Sequence, residues 1–213
     1  ASQLMSYSID LEIARFDQLA KTRSAAFAVE RLCEHGVLVT PRHVQPLQAN
    51  GKRVALTLLG ITHGNEWAGI AVVNQILGRV LAGAVNLQTS VAFLLGNPAA
   101  ALENKRFLDR DLNRSFNRTQ STLREEQRAL ELAGVLRDTA YLVDFHQVTR
   151  KSDRPFFIFP YNPRSYGFAR AIGPRHTVVT HWGKPFSVEG MCSDEFVISC
   201  GGTCLLYTSD AAD

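Results

Sequence analysis

The sequence predicts an α/β layered domain. Apolar runs of strand length alternate with stretches whose apolar residues recur at helical spacing, as in folds where helices cover a sheet. Two runs, 54–59 and 90–95, are hydrophobic on both faces, which is typical of central strands. With 213 residues, 46% of them hydrophobic, the chain is long enough for one core that needs no disulfide or metal. A metal ion is therefore expected in a catalytic rather than a structural role.

The first half of the chain predicts two helices and at least two strands. Residues 8–35 combine helix formers with apolar positions and end before Gly36, a common residue after a helix, so they predict one helix. An Asn-Gly pair at 50–51 predicts a turn, so 43–47 and 54–59 are expected to pair as a hairpin. Helical spacing then predicts a helix that ends near residue 82.

The second half continues the alternation of helices and strands. Thr-Leu-Arg-Glu at 122–125 matches a capping box and predicts the start of a helix. The segments 141–145, 156–159 and 177–180 predict further strands. No repeat or low-complexity linker divides the chain, so we expect a single domain.

Composition argues against a membrane or nucleic-acid protein. The longest nearly apolar stretch covers residues 54–61, far short of the roughly 20 residues that a membrane span needs. Acidic residues interrupt the N-terminal segment, so no secretory signal is visible. The four cysteines form no CxxC pair, which favours a reducing cytoplasm. The formal charge of +3 is too small to indicate nucleic acid by itself.

A histidine and a glutamate three residues apart follow the predicted central strand. Roughly 0.3 such pairs are expected by chance in a chain of this composition, so the position of His63 and Glu66 carries the weight. Sites in open α/β sheets gather at the carboxyl ends of strands. A catalytic zinc usually takes three such ligands, and His146, at the end of the strand 141–145, is the best third candidate.

The segment 103–116 concentrates arginine and asparagine. An arginine fork matches a carboxylate with two hydrogen bonds, and an asparagine amide can donate another. Arg106, Asn113 and Arg114 near a metal therefore favour an acidic substrate. The alternative is a solvated helical stripe, since arginines recur every four residues, and such a stripe could also contact phosphates. Aspartates inside the stretch argue against nucleic acid.

Four motifs carry a resemblance to a known family. They are Gly-Ile-Thr-His-Gly-Asn-Glu at 60–66, Asn-Lys-Arg-Phe at 104–107, Asp-Leu-Asn-Arg-Ser-Phe at 111–116 and Asp-Phe-His-Gln at 144–147. Together they resemble the succinylglutamate desuccinylase/aspartoacylase family of zinc carboxypeptidase-like amidohydrolases, over about residues 53–203. The true zinc carboxypeptidases share part of this pattern, but the His-Gly-Asn-Glu motif and the short gap from Arg106 to Asn113 resemble the deacylases.

The resemblance implies a fold and a metal site. The fold would be a three-layer α/β/α domain with a mixed, mostly parallel sheet, like that of the zinc carboxypeptidases. His63, Glu66 and His146 would bind one zinc ion. The implied reaction is hydrolysis of an N-acyl amino acid, in which zinc polarises the acyl carbonyl and lowers the pKa of its water towards about 7.

The resemblance also implies how a small carboxylate substrate is held. Arg106, Asn113 and Arg114 would bind the substrate carboxylates. Asp111 would accept a hydrogen bond from the second ring nitrogen of His63 and so fix its tautomer.

The general base is expected outside these motifs. In the family it is a glutamate a few residues after a Gly-Thr pair, but here Gly-Thr at 202–203 precedes ten residues without glutamate. Residues 204–213 match the translation of a transposase sequencing adapter, so we expect a native domain of residues 1–203 that is truncated at its C-terminus. The base is then expected beyond Thr203, with Glu189, and after it Glu195, as weaker candidates.

The sequence as a whole predicts a zinc-dependent deacylase of N-acyl amino acids. Two alternatives remain open at this point. One is a carboxypeptidase that acts on peptide C-termini. The other is a non-catalytic module that binds zinc or an anion.

Overall fold

The computed structural model describes residues 8–43, 45, 51–116, 122–147 and 155–180 and the backbone of 181 and 197–201. Helices and strands alternate along these residues. In chain order they are α1 (Ile9–Ala20), β1 (Phe27–Cys33), β2 (Gly36–Pro41), β3 (Val54–Gly60), α2 (Ala68–Leu81), β4 (Val91–Leu95), α3 (Pro98–Leu102), a 3₁₀ helix (Leu112–Arg114), α4 (Arg124–Arg137), β5 (Thr139–His146), β6 (Phe156–Pro160), α5 (Pro163–Ile172), β7 (Thr177–His181) and β8 (Val197–Gly201).

The strands form one mixed sheet in the order β1-β2-β4-β3-β5-β8-β6-β7. The pairs β3–β4, β3–β5, β5–β8 and β6–β7 are parallel, and the other three pairs are antiparallel. The predicted mixed, mostly parallel sheet is therefore confirmed. The strands expected near 54–59, 90–95, 141–145, 156–159 and 177–180 and the helix ending near 82 are also confirmed.

Helices cover both faces of the sheet. In β4, Val91, Phe93 and Leu95 face the core under α1 and α2, whereas Ala92 and Leu94 face the core under α4. This alternation along a buried strand gives the predicted three layers. Among the residues that the structure describes, no helix is long and apolar enough to cross a membrane.

The prediction of one helix over residues 8–35 is wrong beyond Ala20. The hydroxyl oxygen of Ser24 accepts hydrogen bonds from the backbone amides of Ala26 and Phe27, which starts the chain in a new direction. β1 then pairs with β2 as an antiparallel hairpin whose turn contains His35 with a φ of 47°. Sheet pairing here overrides the helix propensity of the sequence.

The predicted hairpin between 43–47 and 54–59 is also wrong. β3 pairs with β4 on one side and β5 on the other, and both pairings are parallel. A strand with two paired edges has no edge left for a hairpin partner. Most of the segment 44–50 lies outside the described residues.

The predicted capping box at 122–125 does not form. The residue that caps α4 is Leu123, without a side-chain hydrogen bond, and the carboxylate of Glu125 bonds elsewhere. The arginine stripe is not a helical face either, because the part of 103–116 in helical form is the short 3₁₀ helix at Leu112–Arg114.

Candidate metal centre

Two adjacent parallel strands bring the predicted metal ligands together. β3 ends at Gly60, β5 ends at His146, and Gly60 lies opposite Phe145 in their register. His63 and His146 therefore lie at the same edge of the sheet, with ring centroids 5.0 Å apart. One ligand atom each of His63, Glu66 and His146 lies within 4.8 Å of the other two. These three side chains form a group that could hold a metal ion.

The turn after β3 is held in a strained conformation. Ile61 has a φ of 51°, which a β-branched residue rarely adopts. Its carbonyl accepts a 2.8 Å hydrogen bond from the backbone amide of Asn97, and its side chain is fully buried. The neighbouring hydroxyl of Thr62 donates to Asp144 over 2.8 Å. These contacts fix the turn that aims His63 along the edge of the sheet.

The carboxylate of Glu66 is the centre of the group. Oε1 lies 2.7 Å from Nδ1 of His63, and Oε2 lies 2.9 Å from Nδ1 of His146. Oε2 also accepts a 3.0 Å hydrogen bond from the backbone amide of Gln147. The Nδ1 atoms of both histidines thus face one common carboxylate.

The other nitrogen of each imidazole faces an aspartate. Nε2 of His63 lies 3.1 Å from Oδ1 of Asp111, and Nε2 of His146 lies 2.6 Å from Oδ2 of Asp144. Asp144 is fully buried, with 0% of its surface exposed. Metal-binding histidines almost always have such a partner on the second nitrogen, which fixes ring orientation and tautomer.

The histidines and carboxylates of this group shift one another's pKa values. Burial alone would raise the pKa of Glu66, but hydrogen bonds from His146 and His63 outweigh it and lower the pKa to about 2. Burial alone would lower the pKa of His146, but the charge of Asp144 and hydrogen bonds to Asp144 and Glu66 raise it to about 10. The pKa of Asp111 is lowered, because hydrogen bonding to His63 and the charge of Arg106 outweigh its burial. Without metal, Glu66 and Asp111 are therefore ionised and His146 is protonated, so binding of a metal ion by His146 would release a proton.

Arg106 lies beside the group, as the sequence predicts. Its Nη1 donates to Glu66 over 3.2 Å, and its Nη2 lies 2.8 Å from Nε2 of His63 and 3.2 Å from Asp111. The Arg106 carbonyl accepts from the backbone amide of Gly64. The side chain is 45% exposed, so the guanidinium borders both the buried carboxylates and solvent.

Asn113 and Arg114 follow Asp111 in the 3₁₀ helix. The carboxylate of Asp111 accepts from the backbone amide of Asn113 over 2.8 Å and so caps this helix. Arg114 donates to the Asn113 carbonyl over 2.6 Å. Contact of their side chains with a substrate carboxylate stays a prediction.

The candidates for the general base lie outside the described residues. Glu189 and Glu195 fall within 182–196, and Thr203 with everything after it is likewise outside.

Sequence reasoning missed the role of Asp144. The contact could have been predicted, because Asp144 and His146 are two residues apart on a strand, and such residues lie on the same face of a sheet. The contribution of Thr62, which bonds the same carboxylate, depends on the strained turn and had no signal in the sequence.

Replacing Asp144 by asparagine is expected to weaken zinc binding about 10- to 100-fold, the usual effect of losing the carboxylate partner of a metal-bound histidine. The asparagine keeps the shape of the side chain but removes the charge next to His146. Competition with a chromophoric chelator measures the affinity. The control is Asp138→Asn at the opposite end of β5, which bonds the backbone of Arg53 and should bind zinc like the wild type. Equal affinities for both variants would contradict the assignment.

Comparison with solved structures defines the class of fold. The metallo-carboxypeptidase of Burkholderia cenocepacia superposes with a TM-score of 0.64 at 12% identity, covering 92% of this chain and 60% of that one. The succinylglutamate desuccinylase of Chromobacterium violaceum gives a TM-score of 0.69 at 21% identity, covering 93% and 68%. The fold is thus that of the metallo-carboxypeptidase-like α/β proteins.

Comparison with sequences identifies the family. The chain belongs to the succinylglutamate desuccinylase/aspartoacylase catalytic domain family, whose profile matches residues 50–207. A succinylglutamate desuccinylase of Serratia proteamaculans is 31% identical over 166 residues, which are 71% of this chain and 51% of that protein. The match therefore covers about half the length of this relative, and 36% of the length of the Yersinia relatives.

Proposed function

We propose that the chain is the catalytic part of a zinc-dependent hydrolase that removes the acyl group from a small N-acyl amino acid or a similar carboxylate-bearing substrate. One observation carries the proposal: His63, Glu66 and His146 converge at the carboxyl edge of the sheet beside the guanidinium of Arg106. Membership of a family of deacylases supports hydrolase activity.

The donor set fits zinc. Two imidazoles and one carboxylate are ligands that catalytic zinc takes in other enzymes, with a fourth position left for water. The Nδ1 atoms of both histidines face the carboxylate of Glu66, and an aspartate contacts the second nitrogen of each ring. When bound, zinc would polarise the acyl carbonyl and lower the pKa of its water towards about 7.

Asp111 and Arg106 have complementary tasks in this proposal. If Nδ1 of His63 is the metal ligand, Nε2 carries the ring proton and donates it to Asp111. That nitrogen then cannot accept a hydrogen bond from Arg106, although the two lie 2.8 Å apart. The guanidinium keeps its contacts with Glu66 and Asp111. Because its side chain is 45% exposed, we propose that its solvent-facing side binds a substrate carboxylate, whose two oxygens match the fork.

The substrate is proposed to carry at least one carboxylate in addition to its acyl amide. Arg106, Asn113 and Arg114 would bind it, since they combine two guanidinium groups with an amide. The name of the Serratia relative, succinylglutamate desuccinylase, describes removal of a succinyl group from such an acidic compound.

We further propose that the general base lies beyond Thr203, that residues 1–203 are the native part of the domain, and that 204–213 are a non-native tail. Glu189 is the second candidate for the base. Sequencing the source gene past the codon for Thr203 tests this: we expect a glutamate a few codons later. A genomic sequence that encodes the same ten residues would contradict it.

The cytoplasm is the proposed compartment. The four cysteines form no CxxC pair, and Cys33, whose thiol pKa is raised by burial, is free. A free thiol and the absence of a disulfide framework in the sequence are typical of a reducing environment. We propose no membrane or nucleic-acid partner.

A carboxypeptidase is the second candidate, because the fold is shared with the Burkholderia metallo-carboxypeptidase. A zinc- or anion-binding module without activity is the third. Assays on protein from the native gene, loaded with zinc, separate them. We expect amine release from N-succinyl-glutamate or another N-acyl amino acid, and loss of that activity in His146→Ala. Cleavage of short peptides alone would favour the carboxypeptidase, and binding without turnover would favour the module.

Replacing Arg106 by alanine is expected to raise the KM for a carboxylate-bearing substrate about 10- to 100-fold, because a hydrogen bond to a charged group contributes about 1.5–3 kcal/mol. Steady-state kinetics measures it. The matched control is Lys105→Ala, which removes the neighbouring exposed cation, paired with Glu103, and should leave KM unchanged. An equal effect of both substitutions would mean that Arg106 contributes only general positive charge.

A further inference from the structure

We infer that Glu125 is a positioning residue for the carboxylate-binding side of the site. It is on α4, outside every motif that the sequence associates with the site, yet its carboxylate holds the loop between Arg106 and Asp111. The inference rests on the proposed function, because it assigns Glu125 its effect through these two residues.

The carboxylate of Glu125 accepts three hydrogen bonds from that loop and one from the side chain of Asn97. Oε1 accepts from the backbone amide of Leu108 over 2.6 Å, and Oε2 accepts from those of Asp109 and Arg110 over 3.0 and 3.1 Å. Oε1 also accepts from the Asn97 side chain over 3.1 Å. We call the carboxylate with its three loop amides the Glu125 clamp. Three consecutive amides on one carboxylate leave this part of the loop little freedom to move.

The clamp is buried and charged. Glu125 is 1% exposed, so water does not compete for its oxygens. Burial alone would raise its pKa, but the backbone amide of Leu108, the side chain of Asn97 and the amides of Asp109 and Arg110 outweigh it and lower the pKa. Hydrogen bonds to a charged acceptor are about twice as strong as neutral ones.

The two residues that flank Glu125 on α4 bind side chains of the same loop. Arg124 donates to the carboxylate of Asp109 from Nε over 3.0 Å and from Nη2 over 2.8 Å. Glu126 accepts from Nη1 of Arg110 over 2.9 Å. The first turn of α4 thus binds the loop through three successive residues.

The clamp connects to both ends of the site. The held amides lie between Arg106, which contacts Glu66 and His63, and Asp111, which contacts His63. On the far side, Asn97 bonds the carbonyl of the strained Ile61. Glu125 therefore fixes the spacing between the guanidinium proposed to bind the substrate and the turn that carries a proposed metal ligand.

The test is Glu125→Gln in the zinc-loaded chain, with succinate as the carboxylate probe. The amide group of glutamine places N–H donors against backbone N–H donors, so at least one bond of the clamp is lost. We expect hydrogen exchange of the amides of Leu108, Asp109 and Arg110 to accelerate at least about tenfold. The Kd for succinate should rise about tenfold, while zinc affinity changes by less than about threefold because no proposed zinc ligand lies in the loop.

Glu131→Gln is the matched control. It is the same substitution on the same helix, and Glu131 also accepts from a backbone amide, that of Glu34, on a different loop. This variant should retain the wild-type affinity for succinate. If Glu125→Gln prevents folding, Arg124→Gln is tested instead, because it removes the exposed ion pair between Arg124 on α4 and Asp109 in the loop. We expect this variant to lose succinate affinity too, but by less than about tenfold.

The outcomes separate the inference from the function on which it rests. Faster exchange at 108–110 with unchanged succinate affinity in Glu125→Gln would make the clamp merely structural and overturn the inference. Equal losses of succinate affinity in Glu125→Gln and Glu131→Gln would also overturn it. A wild-type chain that binds zinc but no carboxylate would instead contradict the proposed carboxylate-binding function.

Discussion

Replacing Glu66 by glutamine is expected to abolish stoichiometric zinc binding. The carboxylate contacts the Nδ1 atoms of both His63 and His146, so its loss removes one proposed ligand and the group that aligns the other two. The affinity should fall by more than the roughly 10- to 100-fold that loss of a partner behind a ligand costs. Isothermal titration with zinc, after removal of bound metal, measures the change.

The matched control for this prediction is Glu103→Gln. Glu103 is an exposed glutamate that pairs with Lys105, so its loss should leave zinc binding unchanged. Wild-type zinc affinity in the Glu66→Gln variant would contradict the proposed ligand set. Circular dichroism of both variants confirms that they are folded before the titration is interpreted.

Replacing Gly64 by alanine is expected to cost at least about 3 kcal/mol of unfolding free energy, the upper part of the range for an overpacked position. A Cβ there would lie 2.4 Å from backbone atoms of Ala100, Ala101 and Lys105. Backbone atoms cannot turn aside as a flexible side chain can. For a domain of this size the melting temperature should fall by about 6–12 °C. Arg106 comes directly after Lys105 in the chain, so a shift of the Lys105 backbone would also move Arg106, and binding of a carboxylate should weaken as well.

Gly134→Ala provides the opposite expectation for the same chemical change. Gly134 lies inside α4, and among the described residues no atom beyond its chain neighbours and the adjacent helix backbone lies within 4 Å of the position that its Cβ would take. Alanine is a better helix former, so this variant should gain about 0.5–1 kcal/mol. Thermal unfolding of both proteins tests the pair. A Gly64→Ala variant as stable as the wild type would mean that the close approach of the two backbones is not required.

The edge of the sheet that carries the site could be predicted from the sequence, because the signals there are local. A run that is apolar on both faces marked β3 as a central strand, an apolar run marked β5 as a strand, and polar residues at the ends of both marked the edge. His63 and His146 converge for the reason that the sequence offers, namely that adjacent parallel strands end on the same side.

The features that could not be predicted depend on contacts between distant parts of the chain. β1 has residues that favour a helix, and its strand form depends on pairing with β2. Glu125 stands where a capping box is expected, yet its carboxylate bonds a loop some fifteen residues earlier in the chain. No local pattern distinguishes a glutamate that caps its own helix from one that holds a neighbouring loop.

X-ray absorption at the zinc edge of the zinc-loaded chain tests the central claim most directly. We predict one zinc ion per chain with a shell of nitrogen and oxygen at about 2.0–2.1 Å and the scattering pattern of two imidazoles, from His63 and His146. A sulfur shell at about 2.3 Å, which would implicate cysteine, or fewer than two imidazoles would contradict the proposed metal centre.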